Sequence, residues 1–86
     1  MNAFKFISWC QERHLGYGAA KVIAAIMRIK DEEETIYYWL IEDLTDLCRR
    51  NIHYIARDLE HRGLAILSRG SIRLTDATIS QLKALS

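Results

Sequence analysis

Between Arg49 and Arg62 the apolar residues Ile52, Ile55, Ala56 and Leu59 fall at i, i+3, i+4 and i+7, the stripe that one face of a helix buries. Gly63 stops that helix, and its opposite side carries His53, Tyr54, Arg57 and His61. Near the start, Phe4, Ile7, Cys10 and Gln11 share a stripe that Phe6 and Trp9 widen, which predicts a first helix from Ala3 to His14. "LGYG" closes it, with Gly16 or Gly18 free to take the left-handed conformation that ends helices. "AAKVIAAIMRIK", Ala19 to Lys30, places Val22, Ile23, Ile26, Met27 and Lys30 at helical spacing and reads as a buried central helix. "DEEE" follows as a solvated connector, and "TIYYW" has the β-branched and aromatic content of a short strand. In that strand Tyr37 and Trp39 would be alternate positions, either core or a partner patch.

Ile41, Leu44 and Leu47 then recur every three residues, predicting a short helix with Glu42 and Asp43 in its first turn, where negative charge suits the dipole. Beyond Gly63, "LAILS" and "SIRLT" alternate around Arg69-Gly70, the pattern of a hairpin with a two-residue turn. Thr75 can cap a last helix whose inner face is Ile79, Leu82 and Leu85. The expected class is α+β, mainly α with a small β-hairpin. One alternative stays open: Leu44, Cys48, Ile52, Ile55 and Leu59 also fit a single rod from Leu40 to Arg62.

The chain of 86 residues has no proline and no Ser/Gly-rich linker, so residues 1–86 read as one domain. No apolar run approaches the ~20 residues that span a bilayer. The start lacks the uninterrupted apolar core of a signal peptide, so a cytoplasmic location is expected, with no membrane partner. Cys10 and Cys48 stand without a CxxC or zinc-spaced histidines, which predicts reduced thiols and no metal site.

Charge changes the picture more than composition does. The net charge of +1 conceals five Lys/Arg against one Glu in residues 1–30 and seven acids without a base in 31–46. Residues 47–73 then hold six Arg against Asp58 and Glu60. A fold that sets the acidic block aside would leave a positive face, which attracts polyanions. A pI near 7.8 is low for a nucleic-acid binder.

"LCRRNIHYIARDLEHRGLAIL", followed by "IRLTDA", resembles the second half of a winged helix-turn-helix domain in prokaryotic regulators of the MarR and PadR type. There a recognition helix ends in an L-E-x-R-G-L segment and a hairpin ends in L-T; Leu59, Glu60, Arg62, Gly63, Leu64, Leu74 and Thr75 match. The resemblance covers residues 36–77. Where such domains carry Ala, Leu and a turn Gly, this chain has Glu42, Thr45 and Asp46.

The resemblance implies sequence-specific binding of double-stranded DNA by a small transcription regulator, and the economy of the chain suits a phage, plasmid or other compact prokaryotic genome. The recognition helix would enter the major groove with Arg49, Arg50 and Asn51 at its start and His53, Tyr54 and Arg57 along its exposed stripe. Arg69 at the wing tip and Arg73 on the return strand would contact the flanking backbone. The bland alternative is a solvated helix face whose arginines pair with Asp58 and Glu60.

Related regulators pair, so a homodimer is expected, with Phe4, Phe6, Ile7 and Trp9 as the dimer contact or, equally, as a cap on the core. The rival function is a winged-helix protein–protein interaction module: an adaptor in a replication or regulatory complex, or an inhibitor of a DNA-binding protein. No nucleophile has a recognisable setting and "GYG" lacks the lysine of a phosphate loop, so neither an enzyme, a cofactor nor a small-molecule ligand is expected.

Overall fold

The computed structural model describes residues 2–85. Its element order is α1 (Ala3–Glu12), α2 (Tyr17–Ile29), α3 (Tyr38–Thr45), α4 (Arg49–His61), β1 (Ala65–Ser68), β2 (Ser71–Leu74) and α5 (Asp76–Lys83). Among the described residues, five helices and a two-stranded antiparallel sheet make it an α+β fold. Among the described residues no helix is long and apolar enough to cross a membrane.

Two helices open on caps that the sequence encodes. Asn2 Oδ1 accepts the Lys5 N–H at 3.1 Å, and Thr75 Oγ1 accepts the Thr78 N–H at 3.3 Å, each satisfying a donor that a helix start leaves free. α2 is central: it packs on α3, α4 and β2, and its Val22, Ile23 and Ile26 share one buried cluster with Ile41 of α3, Ile52 and Leu59 of α4, Ile72 and Leu74 of β2, and Leu82 of α5.

Several expectations need correction. α1 ends on His14 in the left-handed region (φ 56°), not on a glycine; Gly16 is extended and opens α2, which therefore starts before Ala19. Gly18 lies inside α2, where an added Cβ would come within 3.0 Å of Ile55 Cδ1, so close packing on α4 uses that glycine. "TIYYW" is not a strand. Tyr37 makes one isolated bridge to Ser71, and Tyr38 and Trp39 already belong to α3.

Consequently Glu42 and Asp43 sit in the second half of α3, where the dipole disfavours them, and an Arg49 Nε contact of 2.6 Å compensates Glu42. α3 buries Tyr38, Ile41 and Thr45, leaving Leu44 exposed, because at about 100° per residue it is turned roughly 90° from the face those three share.

The chain breaks between α3 and α4, so there is no continuous rod. Thr45 makes the break: its buried hydroxyl donates to the Ile41 carbonyl at 2.6 Å and accepts the Leu47 N–H at 3.3 Å. Asp46 then turns the backbone in the left-handed region (φ 60°, ψ 13°), and α4 starts at Arg49. The hairpin is as expected, with Ser68 paired to Ser71 around Arg69-Gly70 and Gly70 at φ 66°.

Trp9 is a core residue, 5% exposed, and not a surface contact. Its Nε1 donates to Gln81 Oε1 at 3.2 Å and the Arg13 guanidinium covers its ring at 4.1 Å, fastening α1 to α5. Phe6 is half-buried against the core, while Phe4 and Ile7 stay exposed.

Candidate functional site

α4 buries Ile52, Ala56 and Leu59, and at about 100° per residue this turns Arg50, Tyr54, Arg57 and His61 to its crest. Between that helix and the hairpin turn lies an open groove of about 620 Å3. Arg49, Arg50, His53 and Arg57 line its helix side, Leu67, Ser68 and Gly70 its hairpin side, and Tyr38 is there too, with Glu60. Two backbone hydrogen bonds tie the hairpin wall to the segment that leads into α3. Tyr38 N–H donates to the Gly70 carbonyl at 3.0 Å and Ile72 N–H to the Ile36 carbonyl at 2.9 Å, the pair of bonds that makes the Tyr37–Ser71 bridge. The hairpin turn is thereby tied to the start of α3.

The arginines of this region divide into two kinds. Arg49 is engaged by Glu42, and Arg62 is structural: its Nε donates to Asp58 Oδ2 at 2.8 Å and its Nη1 to the Arg13 carbonyl at 2.6 Å. Arg50, Arg57, Arg69 and Arg73 are exposed and form no ion pair among the described residues. Of the pairings with Asp58 and Glu60 that the solvated-face alternative expects, one is present among the described residues, Arg62 with Asp58.

Not every expected residue reaches the groove. Arg69, at the turn, is flanked by two lining residues, and Tyr54 stands beside His53 with ring centroids 6.4 Å apart. Asn51 lies on the flank of Asp58, seven residues on, and does not line the groove. Arg73 is cross-strand from Ile66, and the two line a separate depression together with Lys30, Glu33 and Glu34. Arg73 is thus parted from the other arginines, since successive strand residues leave opposite faces and Ile66, its cross-strand partner, points away from the side that Leu67 gives to the groove.

Tyr38, Glu60 and Leu67 belong to the groove without having been expected there. The Tyr38 ring meets His53 edge-on at 6.1 Å, and burial, then the Glu60 carboxylate, pushes its phenol above the usual tyrosine range. Glu60 Oε2 also receives the Leu67 N–H, at a long 3.4 Å. Reading "TIYYW" as a strand hid Tyr38; the i+3 spacing of Arg57 and Glu60 was the available signal for Glu60.

Arranged this way, the groove offers fork-shaped guanidinium donors suited to planar or tetrahedral anions, with aromatic surface beside them. Among the described residues no group of three or more His, Cys, Asp or Glu could hold a metal ion. No family model, curated protein or solved structure matches the chain.

Proposed function

We propose that this chain binds double-stranded DNA as a winged helix-turn-helix module, with α3 and α4 as the paired helices and the β1–β2 hairpin as a short wing, and that it acts as a small transcription regulator. The observation that carries the reading is the groove in which Arg49, Arg50, His53 and Arg57 of α4 face the hairpin turn that bears Arg69. α4 has 13 residues, about 20 Å of helix, and the major groove is about 12 Å wide, enough for one such helix. Arg50 and Arg57 on the crest suit base edges or phosphates, and Arg69 suits the adjacent backbone. Pairing of two copies belongs to the same reading, supported by Phe4, which is 85% exposed on α1.

The test is binding to random-sequence duplex across a salt series. About four phosphate contacts give a log–log slope near −3.6, and Arg50→Ala or Arg57→Ala should each lower its magnitude by about one. Sedimentation of the free and bound chain reads the pairing. The second reading, a protein-binding module, is favoured by Glu60 inside the groove and by the acids of residues 31–34; it requires no duplex binding at low salt and no salt slope.

A further inference from the structure

Two depressions meet along the outer side of α2. The larger, about 460 Å3, runs between α1 and α2 and is walled mainly by Phe6, Ile7, Leu15, Tyr17 and Ala20. The smaller, about 230 Å3, continues toward Leu44 of α3, and the two share Lys21 and Ala24. Ile7 and Tyr17 are exposed there although both are largely apolar. Because α2 turns its buried side to α3 and α4, this trough looks away from the α4 groove.

Its charge is of one sign. The charged side chains lining the two depressions are Lys21 and Arg28, and no carboxylate of the described residues lines either, in a chain with 11 Asp and Glu. Lys21 lies 5.2 Å from the Tyr17 ring, and Arg28 forms no ion pair among the described residues. Seven residues apart on α2, the two cations are about 10.5 Å apart along the axis, two turns of any helix laid alongside.

We propose that the trough receives an acidic amphipathic helix of a partner protein, with its apolar stripe between α1 and α2 and its carboxylates, two turns apart, against Lys21 and Arg28. A helix laid in an apolar groove is a common recognition mode, and complementary charge sets its register. A second copy of this chain is a poorer occupant. A two-fold contact sets the same patch against itself, so Lys21 and Arg28 would face like charge, while a head-to-tail contact with residues 31–46 would build rings or open chains. A bilayer surface is poorer too, since it is best met by a projecting apolar ridge and this feature is concave.

The experiment uses the whole chain, 15N-labelled, and three labelled synthetic helices of about 16 residues, long enough for the two-turn spacing. One has leucines at i, i+3, i+4 and i+7 on a glutamate background, one has lysines for the glutamates, and one is the glutamate peptide scrambled. The glutamate helix should bind, shift the amides of Ile7, Tyr17 and Ala24 and leave that of Arg57 unmoved. K21E/R28E should weaken it by about tenfold and K21Q/R28Q by less, with circular dichroism unchanged. Arg50→Ala should leave peptide binding intact, which separates this proposal from the DNA reading.

The proposal is overturned by equal binding of the lysine or scrambled peptide, by an unaffected K21E/R28E variant, or by shifts confined to α4. It is equally overturned if the same amides shift with protein concentration alone, which makes a second copy the occupant, or if phosphatidylserine vesicles shift them and the glutamate helix does not.

Discussion

Glu60→Gln tests the α4 groove more sharply than removal of any cation, because it should strengthen binding. Apart from His53, the groove lining carries Arg49, Arg50 and Arg57 against Glu60, a formal +2 that becomes +3 in the variant. A duplex phosphate about 7 Å from Glu60 would be repelled by ~0.6 kcal/mol at the dielectric of water and ~2.4 kcal/mol at an effective value of 20. Glu60 is exposed, so the lower figure governs, and the variant should bind random duplex about threefold more tightly at low salt. Screening shortens from about 30 Å at 0.01 M to about 3 Å at 1 M, so the gain should fade across that range. Fluorescence anisotropy with a labelled duplex reads both effects. Gln keeps an acceptor for the Leu67 N–H, and a contact of 3.4 Å is too long to matter much to stability. A folded E60Q that binds duplex no better, or worse, than the parent would refute the placing of phosphate in this groove.

Asp46→Gly should stabilise the chain by about 1 kcal/mol in a urea melt: it removes left-handed strain and a carboxylate from the end of α3, less the added freedom of the unfolded chain. A loss would show that the Asp46 side chain itself holds the turn. Leu59→Ala, at a site with no exposure, should cost about 2–5 kcal/mol by the same melt, and a cost well under about 1 kcal/mol would mean that the core refills the space. Cys48 is exposed, whereas burial pushes the Cys10 thiol up against the opposing effect of Arg13. An aromatic disulfide reagent should therefore titrate one thiol quickly and the second only as the chain unfolds. Cys10 should remain slow at pH 9, the ordinary thiol value, because its own lies higher and less thiolate is present there. Two equally fast thiols would contradict the buried position.

The elements that were legible in the sequence are those whose local signals agree with their packing. Ile52, Ile55, Ala56 and Leu59 run at helical spacing into Gly63, and α4 follows them; Arg69-Gly70 sits between alternating runs, and the hairpin follows. Where local and tertiary demands part, the pattern misleads. "TIYYW" favours a strand by propensity, yet burying Tyr38 and Ile41 on one face requires helix from Tyr38 onward, and only Tyr37 keeps a sheet contact. The turn at Asp46 was obscured because a helix-ending glycine is absent; the Thr45 hydroxyl, bonded forward and back, does that work instead.

Of the expected site, helical periodicity put His53, Tyr54 and Arg57 on the exposed side of α4, where they lie, and Arg50, expected at the helix's start, is exposed with them. It could not say that Arg73 falls among Glu33 and Glu34, nor that Trp9 is claimed by Gln81, since both depend on neighbours more than 35 residues away in the chain.

The pairing of Tyr38 with Gly70, and of Ile36 with Ile72, fastens the hairpin tip to the start of α3, and the Tyr38 ring in turn meets His53 of α4, so the span between helix and tip is gauged through one tyrosine. Closing or widening it would mean parting those main-chain bonds or moving Tyr38 off His53. A template of this kind does not wrap its guest: whatever lies across both walls must bring the matching spacing with it, or bear the distortion itself.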